Sequence, residues 1–115
     1  LESLNQAVDR YQMLHDIFVF RYKGMSYCIR LSEVLYFVSD KRVIHILMEN
    51  GREYLFYGKL DELEKELLKY SFRFYRIHQS YLINGRQVEQ FHPRYVVMRN
   101  RERIPVTRTK KSWQG

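Results

Sequence analysis

Cysteine is nearly absent. Cys28 stands alone among 115 residues, so no disulfide can close within the chain, and a reducing cytoplasm is the expected setting. Cys28 sits in an apolar alternating run and reads as a small core residue. Only 2 Pro and 5 Gly exclude collagen-like or low-complexity sequence. No apolar run approaches the length of a membrane span, and no signal peptide is visible. The chain starts at Leu1 rather than Met, which suggests a domain cut from something longer. No glycine-rich phosphate loop is present. The histidines, His15, His45, His78 and His92, are scattered, and none pairs with another or with Cys28 at metal-ligand spacing. Neither a metal nor a cofactor is therefore expected. Ser80 and His78 are two residues apart, but no nucleophile elbow accompanies them, so an enzyme is not expected.

Acidic residues are scarce at one end only. The net charge is +7, with residues 1–72 contributing −1 and residues 73–115 contributing +8. In that second segment only Glu89 and Glu102 oppose ten Lys and Arg. Solubility does not require such segregation, whereas an anionic partner does benefit from a focused positive field. The length fits one domain, and 45% hydrophobic residues are enough for a modest core. Aromatics reach 16%, with 10 Tyr and 7 Phe, which leans toward strands.

Residues 1–15 carry Leu1, Leu4, Val8, Tyr11 and His15 at helical spacing and read as a linker helix. From Ile17 the period changes to two. Residues 17–22 and 25–30 flank Lys23-Gly24 as a hairpin. A turn at 31–34 and a short strand at 35–38 follow, then a polar loop at Ser39–Arg42. Residues 43–48 and 52–57 flank Asn50-Gly51, the strongest short hairpin signal in the chain. Lys59 to Leu68 forms the clearest helix, with Leu60, Leu63, Leu67 and Leu68 on its apolar stripe. Short strands are expected at 88–91, 95–98 and 104–106, and a weak helical turn at 107–114. The fold class is mainly β, with several short strands and one or two helices.

The most informative stretch is Phe72-Arg-Phe-Tyr-Arg-Ile-His-Gln-Ser-Tyr-Leu-Ile-Asn84. It sets arginine, histidine, glutamine and serine among large apolar and aromatic side chains. That mixture suits a segment anchored by its apolar residues and offering its polar ones to a polyanion. A DNA-binding surface needs Lys and Arg to neutralise phosphates, small polar residues to fix register, and a few long polar side chains to read base edges. Such residues occur at Asp40–Val43, at Arg76–Ser80 and at Thr107–Lys111. No helix carries a basic recognition face, so any reading of DNA falls to loops and strand ends. Asn84, followed by Gly85, reads as a turn residue tolerating left-handed φ. Phe74, Tyr75 and Tyr81 read as core rather than stacking platforms.

The motif Phe74-Tyr-Arg-Ile-His-Gln-Ser-Tyr-Leu-Ile-Asn84 resembles the signature of LytTR-type DNA-binding domains of bacterial response regulators. Leu35-Tyr-Phe, Tyr57-Gly-Lys-Leu-Asp-Glu-Leu63 and Ile104-Pro-Val-Thr-Arg108 agree with it in order and spacing, so the resemblance covers roughly residues 17–112. It implies a compact, mostly antiparallel β domain, barrel-like, over residues 16–115. Residues 1–15 would connect it to a regulatory, receiver-like domain. It implies duplex DNA as partner, with loops in major grooves and two copies on a direct repeat. Carried over by position, the base readers are Gln79, Arg108 and a residue within Lys41–Val43, where Lys41 or Arg42 is favoured because Val43 lacks a polar side chain. Arg76, His78, Ser80, Lys110 and Lys111 would contact phosphate or brace the loops. The alternatives are an RNA or single-stranded nucleic-acid module, prompted by a β-rich domain with many aromatics, and a protein-interaction domain with a basic surface.

Overall fold

The computed structural model describes residues 3–107. Its centre is a five-stranded antiparallel sheet formed by β3 (Val34–Asp40), β4 (Val43–Met48), β5 (Glu53–Tyr57), β6 (Phe74–His78) and β7 (Tyr81–Asn84), in the order β5-β4-β3-β7-β6. The alternation of β4 decides which way it faces. Ile44, Ile46 and Met48 enter one core, and Leu47 packs against the other. In β3 a bulge between Val34 and Tyr36 interrupts the pattern. Leu35 and Tyr36 therefore both turn to the second core, while Phe37 returns to the first.

The first core is closed by α2 (Leu60–Leu67) and by the hairpin of β1 (Ile17–Tyr22) and β2 (Met25–Arg30). Leu60, Leu63 and Leu67 of α2 are buried. Leu68, expected on the same stripe, is the C-cap of the helix and is 81% exposed. Cys28 is likewise exposed rather than in the core. It pairs across the hairpin with Val19, on the face opposite Phe18, Phe20 and Ile29. A hairpin covering a sheet buries one face only.

The second core is closed by a three-stranded sheet of β8 (Val88–Phe91), β9 (Tyr95–Met98) and β10 (Arg103–Pro105). Asn84 ties the layers together. It is fully buried at φ −81°, not in the left-handed turn expected of it. Its Nδ2 donates to the carbonyls of Leu31 (3.2 Å) and Val34 (2.9 Å), and its Oδ1 accepts from the Arg86 N–H (3.0 Å). Gly85 follows because a Cβ there would meet Tyr75 Cε2 at 2.6 Å.

The N-terminal helix α1 (Leu4–Leu14) starts with a capping box between Ser3 and Gln6 and has no buried residue. Asn50-Gly51 turns between β4 and β5 as expected, with Gly51 at φ 89°. The helical turn expected at 107–114 falls, after Thr107, outside the described residues.

Candidate nucleic-acid interface

Antiparallel pairing of β3 with β7 sets two turns side by side. Val38 pairs with Tyr81, and one step on, the Ser39 N–H donates to the Ser80 carbonyl at 2.9 Å. The β3–β4 turn (Lys41, Arg42) and the β6–β7 turn (Gln79, Ser80) therefore leave the same end of the central sheet. The Asn50-Gly51 turn leaves the opposite end. The C-terminal chain arrives at the first end too. The Val106 N–H donates to the Arg94 carbonyl at 2.8 Å, and the Thr107 N–H to the Ile77 carbonyl at 2.9 Å. Thr107 is the residue before Arg108. Arg108, Lys110 and Lys111 themselves lie outside the described residues.

The first turn is tighter than the polar loop expected at 39–42. Ser39 and Asp40 belong to β3, and Asp40 pairs with Val43. Two residues remain to reverse the chain, Lys41 at φ 50° and Arg42 at φ 70°. Two left-handed residues in a two-residue hairpin suit the right-handed twist of the strands, but Asn-Gly is the usual occupant. The β1–β2 hairpin places Gly24 where this turn places Arg42. Both Lys41 and Arg42 are exposed, while Val43 is half-buried and paired with Tyr57. The turn thus presents two cations at its tip despite a backbone conformation that disfavours them. Its base is pinned by a bond from the Gly58 N–H to the Arg42 carbonyl (3.0 Å).

The second turn is held from beneath by Arg76, which is only 4% exposed. A bulge between Arg76 and His78 turns the chain so that the guanidinium reaches forward under the turn. Its Nε donates to the carbonyls of His78 (3.0 Å) and Gln79 (3.2 Å). Its Nη1 donates to Asp61 (2.7 Å) and Glu64 (3.1 Å) of α2. Of the two roles expected of Arg76, this geometry fits bracing. The guanidinium faces two carboxylates and two carbonyls of the chain itself. His78 braces the turn from the other side, its Nδ1 accepting the Ser80 N–H at 2.9 Å. In the neutral ring the proton is then on Nε2. Tyr81 meets the His78 ring edge-on at 5.4 Å. Gln79 is exposed at the tip, and its side chain makes no hydrogen bond among the described residues.

Residues 24–112 match the family model of the LytTr DNA-binding domain. The chain belongs to the LytTR family. Among solved structures, it is similar to the LytTr DNA-binding domain of a Bacillus cereus protein described as a methyl-accepting/DNA response regulator. The identity is 21% over 79% of this chain and 85% of that one, with a TM-score of 0.65. No curated protein matches the chain.

Two basic residues of this LytTR domain escaped the sequence reading. Lys59 lines a shallow cavity of about 270 Å³ together with Arg42, Gln79 and Ser80. It is the N-cap of α2, without a side-chain capping bond. A cation there opposes the helix dipole, and a polar cap of the Ser or Asp kind is the norm. That mismatch was the available signal. Arg94 is exposed, and its carbonyl holds the chain one residue before Thr107. Nothing in the sequence tells which end of the sheet its loop occupies, so no signal pointed to it.

Proposed function

We propose that this LytTR domain binds duplex DNA sequence-specifically, as the effector domain of a bacterial transcription regulator. The observation that carries the reading is the adjacency of the Lys41–Arg42 and Gln79–Ser80 turns, with the chain leading to Arg108 beside them. Neighbouring hairpins in one sheet have tips about 10 Å apart at two strand spacings. A major groove about 12 Å wide admits such tips. In this reading Gln79 reads an adenine edge and Arg108 a guanine edge, with Lys41 or Arg42 as the third reader. Ser80, Lys59, Arg94, Lys110 and Lys111 contact phosphate. Arg76 and His78 keep the second turn in shape. Phe74, Tyr75 and Tyr81 pack against the two cores, which leaves them unsuited to stacking on unpaired bases and favours duplex over single strand. Two copies occupy a direct repeat, and α1 leads back to a regulatory domain.

Selection from random duplexes tests this. The expected product is a repeated element whose halves lie about one helical turn apart. Recovery of no enriched motif, or tighter binding to a matched single strand, would refute it. Arg108→Ala should cost about 1–3 kcal/mol on the selected site and relax preference at one base. Equal losses on selected and random DNA would instead make Arg108 a phosphate contact.

A further inference from the structure

The hairpin of β1 and β2 ends beside the β5 edge of the central sheet. Phe18 meets Phe37 of β3 at 6.0 Å between ring centroids, Phe20 meets Phe56 of β5 at 5.5 Å, and Tyr22 meets Tyr57 of β5 at 5.3 Å. Strand β1 thus runs from the middle of the sheet to its edge, and the Lys23-Gly24 turn follows Tyr22 there. Tyr57 fixes which end of the sheet this is. It pairs with Val43, the residue after the Lys41–Arg42 turn, and the neighbouring Gly58 N–H donates to the Arg42 carbonyl at 3.0 Å. Lys59, two residues past Tyr57, lines the shallow cavity with Arg42, Gln79 and Ser80. The Lys23 turn therefore joins the end that carries the Lys41–Arg42 and Gln79–Ser80 turns.

The turn itself is built against its backbone. Lys23 is at φ 50° and Gly24 at φ 79°, two left-handed residues in a two-residue hairpin. Asn is the usual residue where Lys23 stands. Lys41 repeats the choice, also at φ 50°. Both two-residue hairpins at this end thus carry an exposed lysine in a conformation that does not favour it. The Lys23 Nζ lies 5.4 Å from the centroid of the Tyr22 ring, within cation–π reach, which keeps the ammonium close to the ring pair. Lys23 forms no ion pair among the described residues.

We propose that Lys23 is a DNA phosphate contact, set by the Tyr22–Tyr57 ring pair on the outer wall of the groove that the Lys41–Arg42 turn enters. This rests on the reading of that end as the duplex-binding one. Distance selects phosphate over base. Strand β5 lies about one and a half strand spacings, or about 7 Å, from the axis of the β3–β4 turn. The two turn tips, about 10 Å apart, already span most of a groove about 12 Å wide, so a side chain about 7 Å to the outer side meets the sugar–phosphate wall. A contact there adds affinity and carries no sequence information.

The test uses the full 115-residue chain, the duplex recovered by selection and a random duplex of equal length, titrated at several salt concentrations. Lys23→Asn removes the charge and leaves the Asn-Gly pair that such a turn favours, so its thermal midpoint should be no lower than that of the unaltered chain. It should weaken both duplexes alike, about threefold to tenfold at about 100 mM salt, and reduce the log–log salt slope by about one. Lys23→Arg should restore both affinity and slope. Arg52→Gln removes the same charge at the Asn50-Gly51 turn, on the opposite end of the sheet, and should change neither. Three results overturn the proposal. They are an unchanged slope for Lys23→Asn, a loss confined to the selected duplex, and an equal loss from Arg52→Gln. If the unaltered chain binds no duplex, the reading of the whole end falls. If it binds and Lys23→Asn binds as tightly, the Lys23 contact falls alone.

Discussion

Arg42 occupies a position where its side chain is useful and its backbone is strained. A left-handed non-glycine residue costs about 1–2 kcal/mol, and glycine loses about 0.5–1 kcal/mol in chain entropy on folding. Arg42→Gly should therefore stabilise the fold by roughly 0.5–1 kcal/mol in urea titration while weakening duplex binding. A destabilised variant would contradict the strain argument. Arg76 illustrates the reverse. It is the most enclosed charge of the second turn, and its removal takes a donor from the carbonyls of His78 and Gln79 and a cation from Asp61 and Glu64. Arg76→Met should lower stability by about 2–3 kcal/mol, less than a fully buried pair because Asp61 is 77% exposed. Binding to the selected site should fall further than binding to random DNA, since only base reading needs the turn in one shape. Equal falls would mean that Arg76 touches phosphate after all. The motif made Arg76 conspicuous in the sequence. Its burial was not legible there, because Asp61 and Glu64 approach it from an element more than ten residues earlier.

Among the elements, α2 was the easiest to read, and its limits are instructive. The stripe at 60, 63 and 67 follows from the helical period, but the same period extended to Leu68 reaches only the exposed C-cap of the helix. Leu63→Ala should cost about 2–5 kcal/mol, and Leu68→Ala less than about 0.5 kcal/mol. Thermal melts of the two variants check this directly, and similar losses would mean that Leu68 is covered in solution. Strand alternation was equally legible in β4, where it runs unbroken. It misled at Cys28, because alternation assigns two faces without saying which one has a neighbour. The contact of Gly85 with Tyr75 lies across paired strands β6 and β7 and is invisible to local reading. Gly85→Ala should lose about 1–3 kcal/mol as the Tyr75 ring is displaced.

For the whole molecule, the segregation of charge between residues 1–72 and 73–115 predicts strong salt dependence. If about six phosphates are neutralised, duplex affinity should fall roughly 10³-fold between about 50 and about 200 mM salt. A flat response would remove the electrostatic basis of the interface. The sequence by itself determined the β-rich class, the helix at 60–67, the hairpins at Lys23-Gly24 and Asn50-Gly51, and the motif that marks the family. The class, the helix and the hairpins depend on periodicity and turn chemistry, which act over a few residues. Only the tertiary structure decided that the turns of β3–β4 and β6–β7 share one end, that Lys59 and Arg94 join them, and that Arg76 faces inward. Those outcomes depend on the pairing of β3 with β7 across some forty residues of chain, and on which face of each strand finds a partner.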